Sequence, residues 1–84
     1  MGEVVAVIKV MPESPEAFDK VKSAIEGSIK AERIEEEPIA FGLKAIKITV
    51  VVKDEEGGTE AIEDKLRSIE GVSDVQVVDL GRLL

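Results

Sequence analysis

The 84-residue sequence contains no cysteine, histidine, tryptophan, tyrosine or asparagine. Without cysteine there are no disulfides and no thiolate metal ligands, and without histidine the commonest general base is missing. The sequence therefore offers no support for the enzyme classes that depend on these side chains. We predict a protein that is not an enzyme and that holds neither a metal ion nor a cofactor. Its stability must come from apolar packing.

Aromatic and basic residues are scarce. Phe18 and Phe41 are the only aromatic residues, and 18 acidic against 11 basic residues give a net charge of -7. Two phenylalanines are too few for a base-stacking platform, and the negative charge opposes attraction to nucleic acid phosphates and to anionic lipids. We predict no direct contact with nucleic acid or with a membrane.

Long hydrophobic runs are also missing. The longest apolar run has five residues, from Val4 to Ile8, whereas a helix that crosses a bilayer needs about 20. The start Met1-Gly2-Glu3 lacks the basic and then apolar order of a signal peptide. These features predict a cytoplasmic protein, with one domain over residues 1–84.

The first strand and the first helix can be placed from apolar spacing. Glu3 to Met11 is a nearly continuous run of Val, Ile and Ala, which is typical of a central strand. Ser14 then offers an N-cap hydroxyl and Pro15 fits the first helical position, so a helix is predicted to begin here. The buried stripe of this helix should be Phe18, Val21, Ile25 and Ile29.

Two strands are predicted next. Residues 31–40 carry many charges, and Pro38 removes a backbone donor, so this segment is predicted to form an edge strand. After Gly42 apolar and polar residues alternate, which predicts a strand with one wet face that includes Lys47 and Thr49. The predicted buried positions of this strand are Ile46, Ile48, Val50 and Val52.

The second helix follows an acidic turn at residues 54–58. Thr59 is a candidate N-cap, and Gly71 stands where a helix C-terminus favours a residue that tolerates positive φ. Val72 to Leu80 is predicted to be the last strand. The apolar side of the second helix should consist of Ile62, Leu66 and Ile69.

The resulting order is strand, helix, strand, strand, helix, strand. This is the βαββαβ order of a ferredoxin-like α+β sandwich, with a four-stranded antiparallel sheet and two helices on one face. The other face of such a sheet stays open for contacts, which suits a binding protein.

Three features allow two interpretations each. The acidic residues at 54–56 could surround a hard cation, but a solvated turn explains them more simply. Phe41 could either cap the core or project outward. The final residues Leu83 and Leu84 could either continue the last strand or stay exposed as an anchor.

The order of features from Glu37 to Glu60 and the tail Val77-Val-Asp-Leu-Gly-Arg-Leu-Leu84 resemble the exchange domain of translation elongation factor 1-beta, and most closely its short archaeal form. The likeness runs from Gly2 to Leu84. It implies a guanine-nucleotide exchange factor that promotes GDP release from the GTPase elongation factor 1-alpha, and its reloading with GTP, during protein synthesis.

The resemblance also implies the residues that act. Arg82 matches the basic residue at the family's C-terminal tip, which promotes exchange by reaching the magnesium and phosphate region of the GTPase, although eukaryotic relatives carry lysine there. An arginine keeps the charge but brings a planar fork that is not equivalent to an ammonium group. The residues implied to bind the partner are Phe41, Gly42, Lys44, Gly81 and Leu83.

A different class of function stays open at this stage. The same fold also serves small regulatory modules that bind a ligand between paired subunits. The charged stretch from Glu32 to Glu37 argues against pairing through that sheet edge, because edge charges deter strand addition. We therefore expect a monomer.

Overall fold

The computed structural model describes residues 3–53 and 58–83, and for residues 82 and 83 it describes the backbone alone. Its element order confirms the predicted succession of strands and helices, with one short 3-10 turn added before the first helix. The elements are β1 (Glu3–Pro12), the 3-10 turn Pro15–Ala17, α1 (Phe18–Ser28), β2 (Arg33–Ala40), β3 (Leu43–Lys53), α2 (Gly58–Arg67) and β4 (Val72–Leu83).

The four strands form one antiparallel sheet with the order β2-β3-β1-β4. The two strands with the most continuous apolar sequence, β1 and β3, occupy the centre. The charged strand β2 pairs with β3 alone, as predicted for an edge. The ferredoxin-like prediction is confirmed.

Both helices cover the same face of the sheet. In β1 buried residues alternate with half-buried ones, as the two-residue period of a strand requires. The alternate positions of β1 and β3 form a single apolar cluster with the buried side chains of both helices. This cluster consists of Ala6, Ile8, Val10, Phe18, Val21, Ile25, Ile29, Ile46, Ile48, Val50, Leu66 and Val75.

The apolar stripe of α1 is buried as predicted, but the start of the helix differs. Ser14 makes no side-chain capping bond. Instead its carbonyl oxygen accepts a hydrogen bond of 3.1 Å from the backbone N–H of Ala17, which closes a 3-10 turn. The main chain itself therefore makes the turn from which α1 begins at Phe18.

Leu66 of the second helix is fully buried and Ile62 packs against the core, as predicted. Ile69 also packs there, but it lies beyond the helix, which ends at Arg67. The prediction of Thr59 as N-cap is wrong, because α2 already begins at Gly58. The acidic turn lies mostly at residues 54–57, outside the described residues. Gly71 follows α2 with φ +98°, which confirms the predicted left-handed position.

The last strand is longer than predicted and ends at Leu83 instead of Leu80. The backbone of Gly81 pairs with Val5, that of Arg82 with Val4, and that of Leu83 with Glu3. The extension forms because β1 begins at Glu3 and offers backbone groups that a shorter β4 would leave without partners.

The uncovered face of the sheet carries the half-buried side chains of Lys47 and Thr49, as predicted. Beside them the Nζ of Lys9 lies 3.8 Å from Oε2 of Glu37, an ion pair between β1 and the edge strand. Neither described helix is long and apolar enough to cross a membrane.

Candidate partner-binding site

The β2–β3 connection is a two-residue turn made by Phe41 and Gly42. Their φ angles are 55° and 80°, both positive, as in the type I′ turn that matches the twist of a hairpin. Asparagine and glycine are usual in such turns, because a side chain with a Cβ is strained at positive φ. Phe41 is the only such non-glycine residue among those described.

The ring of Phe41 is fully exposed, at 103% of its reference area. The interpretation in which this residue caps the core is therefore wrong, and the outward orientation is what the structure shows. The hydrophobic core does not explain why an aromatic residue occupies a strained turn. A strained backbone at a residue whose side chain adds no contact to the core is a feature that points to function.

Ile39 extends the apolar surface at this turn. The register of β2 shifts between Pro38 and Ala40, so Ile39 is an extra residue in the ladder. Its side chain is 43% exposed. Sequence reasoning missed Ile39 as a contact residue, because no sequence signal showed the bulge.

A carboxylate ties the base of this hairpin to the first helix. The Nζ of Lys22, on α1, donates to Oε2 of Glu36 at 3.0 Å, and the Nζ of Lys44, on β3, donates to Oε1 at 3.3 Å. Lys44 also lies over the ring of Phe18, 4.3 Å from its centroid. Lys44, implied as a partner contact, thus has two intramolecular partners, Glu36 and Phe18, and a role toward a partner stays a prediction.

These contacts change the titration of the groups involved. Hydrogen bonds from Lys22 and then Lys44 lower the pKa of Glu36 below its ordinary value of 4.5. The hydrogen bond with Glu36 in turn raises the pKa of Lys22 above 10.5. The Glu36 carboxylate and the Lys22 ammonium group are therefore both charged at neutral pH.

The second candidate region is the end of β4. Val78 is 46% and Leu80 58% exposed. The register between β1 and β4 shifts next to Val78, so this residue is an extra one in β4 and interrupts the regular ladder. Leu80 donates its N–H to Oδ1 of Asp79 at 2.9 Å.

The two candidate regions lie at opposite ends of the sheet. Val52 pairs with Val4, which in turn pairs with Arg82, whereas the turn at Phe41 precedes Leu43 at the other end of β3. The nine steps from Leu43 to Val52 span about 30 Å along an extended strand. The molecule is 41 Å long. Gly42 therefore accompanies Phe41 at one end, and Gly81 and Leu83 accompany Arg82 at the other.

Exposed apolar side chains lie at the hairpin and on the C-terminal half of β4. Among the side chains that the structure describes, the exposed large hydrophobic ones are Ile39 and Phe41 at the hairpin and Val78 and Leu80 on β4. The described residues contain no group of three acidic side chains placed to hold a metal ion. The arrangement is one of contact surfaces, which suits recognition of another macromolecule.

Comparison with known proteins is consistent with this arrangement. The EF-1 guanine nucleotide exchange domain matches residues 5–83. A protein named Elongation factor 1-beta from Methanothermobacter thermautotrophicus is 54% identical, and one of the same name from Methanosphaera stadtmanae is 49% identical; each alignment covers 100% of both chains. A third, from Natronomonas pharaonis, is 42% identical over 99% of this chain and 100% of its own.

The match covers the hairpin, both helices and the end of β4, so it includes every element that carries a candidate contact. It favours a nucleotide-exchange role in translation elongation over a ligand-binding regulatory module. The chain belongs to the EF-1 guanine nucleotide exchange domain family.

Proposed function

We propose that this protein releases GDP from elongation factor 1-alpha, allows that GTPase to reload with GTP, and acts by binding alone. The family match supports the exchange role. The observation that carries the proposal is the strained and fully exposed Phe41, which the core does not explain.

Binding alone can produce exchange. If the factor binds the nucleotide-free GTPase more tightly than the GDP-bound form, the affinity of the GTPase for GDP must fall by the same ratio. No bond has to be formed or broken by the factor. The missing histidine and cysteine are therefore no obstacle to this function.

The hairpin supplies the aromatic contact. Phe41 and Ile39 present adjacent apolar side chains at the tip, and Gly42 allows the tight turn on which they stand. Aromatic side chains that enter a pocket of a partner contribute a large share of binding energy in protein interfaces. Because Phe41 buries nothing within its own chain, all of this apolar area is available to the partner.

The β4 end supplies the charge. The backbone of Arg82 is held by pairing with Val4 of the central strand, so the position of this residue is fixed by the sheet. A single positive charge about 6 Å from a magnesium ion would repel it by about 5 kcal/mol at an effective dielectric constant of 20, before solvent reduces the effect. We assign this role to Arg82, with Gly81 and Leu83 as neighbouring contacts.

Leu80, which pairs with Ala6, adds apolar surface near the same end, and Val78 extends this surface toward the middle of the sheet. A cation alone would be solvated and weakly held, whereas an adjacent apolar contact excludes water and strengthens the electrostatic effect. A partner that touches both ends must offer two contact regions about 30 Å apart. We infer that the sheet acts as a rigid spacer between them.

Release of fluorescent GDP from elongation factor 1-alpha tests the proposal. The intact protein should accelerate release, and Arg82→Ala should slow it by about tenfold or more, since one lost charge interaction of 1.4 kcal/mol already corresponds to tenfold. Arg67→Ala is the matched control, because Arg67 lies on α2 and pairs with Glu63 and Asp64. Equal rates for the intact protein and Arg82→Ala would remove Arg82 from the mechanism.

The state of the protein in solution follows from the same proposal. A factor that acts through both ends of its sheet needs no second copy, so we propose a monomer that works in the cytoplasm with the elongation machinery. Sedimentation equilibrium should give the mass of one 9.1 kDa chain. A dimer would instead favour the alternative function, a regulatory module that binds a small ligand between paired subunits.

A further inference from the structure

We propose that Glu36 is a positioning residue, which fastens the β2–β3 hairpin to α1 and thereby fixes the direction in which Phe41 is presented. This inference rests on the proposed function, because it assigns Phe41 a contact with the GTPase. It concerns a residue that itself lies away from the hairpin tip, on the helix-covered side of β2 beside Ile46.

Apart from the ion pair of Glu37 with Lys9 on the uncovered face, the edge strand has few other attachments to the body of the protein. Six of the eight residues of β2 are exposed, and among its apolar residues Ile34 alone packs against the core. Ile34 lies at the far end of β2 from the turn. Past the pair between Pro38 and Lys44, the register shift at Ile39 interrupts the regular ladder. Backbone pairing by itself therefore holds the tip less firmly than a regular hairpin.

The carboxylate of Glu36 joins three elements just before that irregular stretch. One oxygen accepts from Lys22 of α1 at 3.0 Å and the other from Lys44 of β3 at 3.3 Å. Lys44 is also held against the buried ring of Phe18, at the first turn of α1. A charge-assisted network restrains a side chain more than a single exposed ion pair does, since several contacts share the cost of ordering it.

The turn that this network supports is strained. A phenylalanine at φ 55° is prone to relax toward other backbone conformations unless its flanking strands are held. Holding both flanking strands against α1 reduces the number of conformations that the partner would have to select. In the terms of population shift, the network raises the fraction of molecules that are competent to bind.

Glu70 provides a matched control. It also pairs with a lysine of α1, Lys20, and that lysine likewise lowers the pKa of its carboxyl group. This ion pair, however, joins α1 to the segment before β4 and not to the hairpin. Glu36→Gln and Glu70→Gln thus remove the same kind of charge at two places, and each amide keeps the side-chain shape with one acceptor oxygen.

The experiment compares these two variants in the fluorescent-GDP release assay and in amide hydrogen exchange at residues 41–43. Glu36→Gln should raise the concentration for half-maximal stimulation roughly two- to fivefold, leave the maximal rate unchanged and speed amide exchange at the turn. Glu70→Gln should change neither quantity. Wild-type behaviour of Glu36→Gln in both measurements would overturn the proposal.

A double variant separates positioning from general destabilisation. If Glu36 acts through Phe41, then Glu36→Gln should have no further effect on the half-maximal concentration in a Phe41→Ala background. If the double variant instead raised the half-maximal concentration by the product of the two single effects, the two residues would act independently and the positioning role would be wrong. If the wild-type protein fails to release GDP, the proposed function falls, and amide exchange at the turn still decides whether Glu36 restrains the hairpin.

Discussion

The Nζ of Lys44 lies 4.3 Å from the centroid of the Phe18 ring, so a cation of β3 covers an aromatic residue at the start of α1. Lys44→Met keeps the apolar stem but removes the charge, and it should destabilise the protein by about 0.5–1 kcal/mol. Urea unfolding measures the change. In a Phe18→Leu background the same substitution should cost less, and an equal cost would mean that the ring is not the partner of the charge.

Substitution by alanine should change stability in opposite directions at two glycines, Gly71 and Gly27. The φ of Gly71 is +98°, and an added Cβ would lie 3.0 Å from Cγ2 of Val21, so Gly71→Ala should destabilise by at least about 1–2 kcal/mol. Gly27 lies in α1 with open space around its Cα, and Gly27→Ala should stabilise by up to about 1 kcal/mol. Thermal unfolding should therefore shift in opposite directions, and shifts of the same sign would contradict the packing described around Gly71.

Phe41→Asn should separate stability from function. Asparagine tolerates the left-handed conformation and is favoured before glycine in a type I′ turn, so the variant should be more stable by up to about 1–2 kcal/mol. It should at the same time weaken stimulation of GDP release, since the aromatic contact is gone. Urea unfolding and the release assay check the two effects. A variant that is both less stable and fully active would refute the interpretation of the strain.

Acid should weaken the Glu36 cluster. The pKa of Glu36 is lowered in the folded protein by Lys22 and Lys44, so its stabilising contribution is complete above about 4.5 and is lost as pH falls through the folded value. The pKa of Lys22 is raised, so its contribution is lost only as pH rises beyond 10.5. The urea midpoint measured from pH 7 to pH 3 should fall less steeply in Glu36→Gln than in the wild type. Parallel curves would show that this carboxylate is not linked to folding.

Much of the fold could be predicted from local sequence, because apolar spacing determines which side of a helix or strand is buried. The stripe from Phe18 to Ile29 and the alternation of β3 from Ile46 to Val52 are both found in the core. The position of β2 at the edge of the sheet was predicted in the same way, from its charges and from Pro38. These predictions depend on neighbours within a few residues.

The features that escaped prediction depend on partners distant in sequence. The extension of β4 to Leu83 depends on where β1 begins, and the exposure of Ile39 depends on a register shift against β3. Ser14 and Pro15 take the predicted N-cap and first positions, but the Ser14 hydroxyl makes no capping bond, and Thr59 is not an N-cap because α2 starts before it. The network around Glu36 was missed, since its lysines come from two other elements.

The resemblance to the family assigned the site residues, while spacing alone did not. For Phe41 the residues left two orientations open, and the positive φ of the turn with full exposure of the ring shows the outward one. The roles of Phe41 and Arg82 toward a partner stay predictions.

The most direct test of the account is the rate at which elongation factor 1-alpha loses fluorescent GDP in the presence of a chain that ends at Gly81. This chain lacks Arg82 and the residues after it but keeps Phe41 and the whole hairpin, and its unfolding transition shows whether the sheet is intact. We predict that a folded shortened chain leaves release close to the rate of the GTPase alone. Release as fast as with the full chain would contradict the claim that the charged end of β4 drives exchange.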